Sequence, residues 1–150
     1  SSNNRQPWRL IFATSPEARA GFDDALSAGN RKWVPAAPVK IVVIGTAEEQ
    51  ADRNGQSAWL LDVGLALENM LIQGYAMGLT IHAMAGWDEP KLLKSFRIPQ
   101  PFHVAALVAA GYRGRVEDLP EEVRVKDLAP RVRKAVGEIA FRDAFGTALR

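Results

Sequence analysis

Val39 to Gly45 reads VKIVVIG, and Ala58 to Met77 reads AWLLDVGLALENMLIQGYAM. The first stretch is short, apolar and β-branched, which favours a buried strand over a helix. The second is apolar nearly all round a helical wheel, so it predicts a long helix with most of its faces buried. At 100° per residue its polar exceptions Asp62, Asn69 and Gln73 fall on one narrow stripe. Ser57 offers this helix an N-cap, and Gly78 offers it a stop. A buried strand followed by a long buried helix predicts layers of sheet and helix.

The same alternation recurs on either side. Trp8 to Thr14 (WRLIFAT) predicts a strand. Ser15 is then an N-cap, with Pro16 at the first helical position and Glu17 in the first turn. Ala18, Phe22 and Leu26 form one apolar stripe, and Gly29 is the expected end of that helix. Ala47 to Gln56 reads as a polar connector. Leu79 to Gly86 predicts a third strand. Asp88 caps a short helix running to about Phe96, Pro99 and Pro101 break the chain, and Val104 to Tyr112 predicts a fourth strand. Residues 113–150 carry few large apolar side chains and many charges, and could hardly fold alone. They read as an arm laid over the domain or over a second subunit. The whole is expected to be one domain of α+β or α/β class with a mostly buried sheet.

Composition bounds the chemistry. The 150 residues are 47% hydrophobic and 24% charged, with a net charge of +2 and no cysteine, the profile of an ordinary soluble globular chain. Disulfides, thiolate nucleophiles and cysteine metal sites are excluded, and a reducing compartment fits. The sequence pI of 9.1 rests on two excess charges, so it points to no nucleic-acid partner by itself. The basic run from Arg124 to Arg133 is interrupted by Asp127 and preceded by Glu121 and Glu122, and nucleic acid is not expected. The apolar stretch 58–77 contains Asp62, Glu68, Asn69 and Gln73, too many polar groups for a bilayer span. The chain begins at Ser1 without Met, and Ser1-Ser2-Asn3-Asn4 reads like the middle of a protein, so a preceding segment is expected.

Familiar catalytic arrangements are nearly missing. His82 and His103 each stand singly in an apolar strand, where a packed, hydrogen-bonded histidine is expected. Neither has metal-ligand spacing to a partner. There is no nucleophile elbow, Walker motif or GxGxxG. A chain without its own acids, nucleophiles and metals often borrows its chemistry from a cofactor.

Four patches remain. Ser1-Ser2-Asn3-Asn4-Arg5-Gln6-Pro7-Trp8 offers hydroxyls and amides suited to a ring with carbonyls and ring nitrogens. Gly29-Asn30-Arg31-Lys32-Trp33 places an amide and a lysine after a helix stop. His82-Ala83-Met84-Ala85-Gly86-Trp87-Asp88 ends a strand in small residues before a helix N-terminus, where a ligand can approach the main chain closely. Arg131-Val132-Arg133-Lys134 could clamp a phosphate. Each patch alone has an ordinary structural explanation.

In this order, the patches resemble the nitroreductase family of flavoproteins. SSNNRQPW resembles its Ser-Ser-x-Asn-x-Gln-Pro-Trp segment, and GNRKWVPAAPVKIVV its Gly-Asn-x-x-Trp…Ala-Pro-Val strand entry. DVGLALENMLIQGYAMGL is similar to its long central helix. HAMAGWD is similar to the His-x-Met-x-Gly-Phe-Asp turn of one branch, with Trp87 for Phe. PRVRKAVGEIAFRDAFG resembles its Arg-x-Arg-Lys-Pro-Leu…Glu-Ile-Val-Phe ending, with Ala135 where Pro is usual. The resemblance spans essentially the whole chain.

The resemblance implies a three-layer α+β fold, a mostly antiparallel buried sheet flanked by helices, in an intertwined, cytoplasmic homodimer with two FMN molecules at the interface. It places the long helix at the subunit contact and the arm from about residue 113 across the partner. It puts Ser1, Ser2, Asn4 and Gln6 near the flavin and Asn30 and Lys32 by its pyrimidine or ribityl side. The backbone of Met84, Ala85 and Gly86 faces the ring, and Arg131 and Arg133 bind the phosphate. No catalytic side chain is implied. The expected activity is ping-pong electron transfer from NADH or NADPH to a small acceptor such as a nitroaromatic or quinone; the alternative is a degenerate, non-catalytic flavin-binding or dimerisation protein of the same fold. One departure stands out: family members begin with a helical segment carrying an Arg-Ser-x-Arg-type motif that also grips the phosphate, and these 150 residues contain no such motif.

Overall fold

The structure, a computed structural model, describes residues 1–48 and 54–149. Four strands alternate with helices: β1 (Trp8–Phe12), α1 (Pro16–Asp24), β2 (Val39–Gly45), α2 (Ala58–Ala76), β3 (Thr80–Met84), α3 (Glu89–Ser95), β4 (His103–Gly111) and α4 (Glu121–Leu128). The strands form one sheet in the order β1-β2-β4-β3, and each neighbouring pair is antiparallel. The fold is therefore α+β with an antiparallel sheet. The central part of the connector expected from Ala47 to Gln56 lies outside the described residues.

Successive side chains of a strand point to opposite faces, and the core divides accordingly. On one face Val42, Ile44, Met84, Leu107 and Ala109 pack with Phe22 of α1 and Leu92 of α3. On the other, Ile41, Val43, Ala106 and Val108 pack with Trp59 and Val63 of α2. The result is three layers, with α2 on one side of the sheet and α1 with α3 on the other. Gly74 allows α2 to seat closely on β3: a Cβ there would lie 2.1 Å from Ile81 Cδ1.

Local chemistry explains three of the helix ends. Ser15 Oγ accepts the Ala18 amide at 3.1 Å, capping α1. Asp88 Oδ1 accepts the Lys91 amide at 3.2 Å, capping α3. At the end of α2, Gly78 takes φ +79°. The Leu79 amide donates to Gly74 O at 2.9 Å and the Gly78 amide to Tyr75 O at 3.0 Å, a Schellman closure that uses the last carbonyls of the helix.

Three expectations are corrected. First, α1 ends at Asp24 rather than near Gly29, because the chain beyond it bonds to a distant turn. Leu26 bridges Trp87, the Ser27 amide donates to Gly86 O at 3.0 Å, and the Asp88 amide donates to Ala25 O at 2.8 Å. Second, Ser57 stands at the start of α2 but makes no side-chain capping bond. Third, α2 is not buried on most faces. Trp59, Asp62, Val63 and Gly74 are its buried residues, whereas Leu61, Leu65, Ile72 and Tyr75, one helical stripe, are exposed. A single sheet covers only one side of a helix, and among the described residues the stripe on the other side stays exposed. The polar stripe is covered at one end: Asp62 is buried while Asn69 and Gln73 are exposed.

No described residue beyond Ala110 is buried. The stem from Val116 to Leu128 nevertheless lies on its own chain, closing one side of a cleft.

Candidate flavin site

The turn after β3 and the segment after α1 meet at one place. Asn30 Nδ2 donates to Ala85 O at 3.0 Å, and Gly86 O accepts the Ser27 amide. Gly86 has φ +91°, and a Cβ on it would sit 3.1 Å from Ser27 Oγ. A left-handed backbone and a crowded neighbour both require glycine there. Met84 is buried under the turn, while Ala85 and Gly86 are exposed. Asn30, Ala85 and Gly86 are thus brought together, with Met84 just before them in the turn and Lys32 two residues beyond Asn30. Asn30 Oδ1 makes no hydrogen bond among the described residues.

Beside them opens a cleft of about 500 Å³, with Asn30, Lys32, Trp33 and His82 on one side and Glu122 and Val123 of α4 on the other. That volume suits a small organic ligand. The Trp33 and His82 rings meet edge to face, with centroids 5.2 Å apart. Lys32 Nζ is ion-paired with Glu122.

The histidine expectation is corrected here. His82 and His103 are both exposed rather than packed in the core. β3 is an edge strand, which leaves His82 facing the cleft. His103 opens β4, where its Nδ1 lies 3.5 Å from Glu89. His82 and Trp33 were missed as cleft residues; the available signal was that His82 precedes Met84 by two positions and shares its face.

Ser1, Ser2, Asn4 and Gln6 form a separate constellation. The Gln6 amide donates to Ser1 Oγ at 3.0 Å and Gln6 Nε2 to Asn4 Oδ1 at 2.6 Å. Asn3, Asn4 and Gln6 all take positive φ, which winds these polar groups into a tight loop before buried Pro7. Below it, Asp62 of α2 is 7% exposed. Its Oδ1 is 3.9 Å from the Ser1 backbone nitrogen, and its Oδ2 has no hydrogen-bond partner among the described residues.

One chain does not join the two constellations. The loop leads into β1 and the Asn30 turn adjoins β3, the two outer strands, so three strand spacings, about 14 Å, separate their edges. They also favour opposite faces, one beside α2 and the other on the side of α1. Arg131 and Arg133 lie apart again, exposed on the segment after α4. Arg133 Nη1 donates to Val132 O at 3.0 Å.

The sequence profile of the nitroreductase family matches residues 23–112, from the last turn of α1 to just past β4. The chain belongs to the nitroreductase family. An uncharacterised 15.4 kDa protein of Mycolicibacterium smegmatis is 31% identical over 124 residues, 83% of this chain and 82% of the relative. A Burkholderia lata protein provisionally named NADH dehydrogenase/NAD(P)H nitroreductase is 30% identical over 132 residues, 75% of this chain and 67% of the relative. Among solved structures, one described as an oxidoreductase containing FMN superposes with a TM-score of 0.85 at 27% identity, covering 98% of this chain and 76% of that one. A nitroreductase-family protein of Clostridium difficile shares the fold, with a TM-score of 0.76 at 21% identity over 97% of this chain and 78% of its own. The nitroreductase fold thus accounts for all three layers. No helix among the described residues is long and apolar enough to cross a membrane.

Proposed function

We propose that this nitroreductase-family chain is an FMN-dependent oxidoreductase. It passes electrons from NADH or NADPH to a small acceptor, such as a nitroaromatic or a quinone, in two successive half-reactions at one site. The observation that carries this reading is the Asn30 to Ala85 hydrogen bond, which joins two sequence patches into a single polar turn. The related oxidoreductase containing FMN supports the choice of cofactor.

The residues present fit that cofactor. Asn30 Oδ1 is an available acceptor for a ring N–H, Lys32 is a donor for a ring carbonyl, and the main chain at Ala85 and Gly86 leaves room for a flat ring. These groups hold and orient the flavin, together with Ser1, Ser2, Asn4 and Gln6. Arg131 and Arg133 hold its phosphate. When bound, FMN supplies the hydride chemistry. Beside the pyrimidine carbonyls, Lys32 would place positive charge and favour negative charge on that side of the ring.

The same geometry supports a homodimer. The loop constellation and the Asn30 turn are on opposite edges of one sheet, and a second copy would bring one beside the other. The uncovered stripe of α2 supplies an apolar surface for that contact, and residues beyond α4 extend as an arm towards the partner.

The test is a visible spectrum of the purified protein with added FMN, then NADH or NADPH, then an acceptor. Flavin bands that bleach with the nicotinamide and return with the acceptor support the reading. A colourless protein that takes up no FMN overturns it in favour of a non-catalytic dimer.

A further inference from the structure

Resting on the FMN reading above, we propose that Glu122 is a positioning residue that acts on the flavin through Lys32, partly neutralising and aiming its ammonium group. Lys32 lies two residues after Asn30 on the floor of the cleft, and α4 crosses the opposite side. The partners stand 90 residues apart, and the stem carrying Glu122 lies against its own chain. The neighbouring acids have other partners. Glu121 pairs with Arg124, and Asp127 lies 3.4 Å from Arg113. Glu122 is therefore the carboxylate committed to Lys32 among the described residues.

The chemistry gives the pair a direction. Reduction adds electrons to the flavin and leaves negative charge on its pyrimidine side. A neighbouring ammonium stabilises that charge, and a carboxylate on the ammonium opposes it. Both side chains are about half exposed, at 45% and 58%, so solvent screens the pair and its coupling is modest. Removing the carboxylate frees Lys32 and favours the reduced ring by roughly 1.5- to 5-fold, the range of exposed ion pairs. For a two-electron couple that is about 5–20 mV upward.

The test compares the FMN midpoint potentials of the wild type, Glu122→Gln, Lys32→Gln and the double variant, against a reference dye. Each protein is first shown by its flavin absorbance to hold FMN. The expected result is a higher potential for Glu122→Gln, a lower one for Lys32→Gln, and no further change when Glu122→Gln is added to Lys32→Gln. The Glu122→Gln shift should shrink at high salt. An unchanged potential in FMN-loaded Glu122→Gln overturns this inference alone. A shift that persists in the Lys32→Gln background overturns it too, because Glu122 would then act directly. Failure of the wild type itself to hold FMN overturns the cofactor reading and this role together.

Discussion

Asn30 and Ala85, 55 residues apart, are tied by a 3.0 Å hydrogen bond from the Asn30 side-chain amide to the Ala85 carbonyl. The bond sets the distance between the end of the α1 segment and the turn after β3. Asn30→Ala removes it and is expected to cost about 1 kcal/mol, read as a lower urea midpoint, and to weaken FMN binding. Asn30→Asp is expected to do worse at neutral pH, because a carboxylate then faces the carbonyl, acceptor against acceptor.

Gly86→Ala tests the same turn from the other side. The φ of +91° and the 3.1 Å approach to Ser27 Oγ act against any side chain. The expected loss is about 1–3 kcal/mol. Adding Ser27→Gly removes the clash but not the backbone strain, so it should recover only part of that loss. Full recovery would show that crowding alone selects glycine.

The uncovered stripe of α2 predicts self-association. Light scattering should give about twice the chain mass of 16.4 kDa. Leu65→Glu with Ile72→Glu puts like charges across a two-fold contact and should yield a monomer with its helical signal intact. A wild-type monomer at micromolar concentration would remove the dimer from the proposal.

Lys40 sits in mid-sheet, 2% exposed, with Nζ 2.7 Å from both Asp23 carboxylate oxygens. Asp23→Ala strands a buried ammonium and should cost about 3 kcal/mol in chemical denaturation. Lys40→Met should be close to neutral, because it replaces the charge with apolar volume and leaves Asp23 partly in water. Equal losses from the two changes would contradict this account.

Glu17, in the first turn of α1, is held below its ordinary carboxyl pKa of 4.5, first by its own backbone amide and then by the Ser15 hydroxyl. A depressed folded-state pKa contributes stability above the unfolded value and loses it as pH falls through the folded one. Thermal unfolding of Glu17→Gln should therefore trail the wild type at pH 6 and converge with it in acid, below about pH 4. A constant gap down to pH 2 would place the effect elsewhere.

Much of the fold was legible because its signals are local. VKIVVIG became β2, and Ser15 and Asp88 cap α1 and α3 as their positions suggested. The meeting of Asn30 with Ala85 was anticipated only through the family resemblance, since no spacing encodes a contact across 55 residues. The C-terminal end of α1, the exposure of His82 and the ion pair between Lys32 and Glu122 escaped the sequence reading altogether.

By itself the sequence determined which segments up to Tyr112 are strands and helices, and where several of them start and stop, because caps, turns and periodicity act over a few residues; α4 was not read. The tertiary structure decided what covers each side. The order β1-β2-β4-β3 puts β3 at an edge and turns His82 to the cleft. It sends the Ser1–Gln6 loop and the Asn30 turn to opposite borders of the sheet. It also leaves one stripe of α2 bare, because apolar periodicity marks a surface for burial without naming its partner.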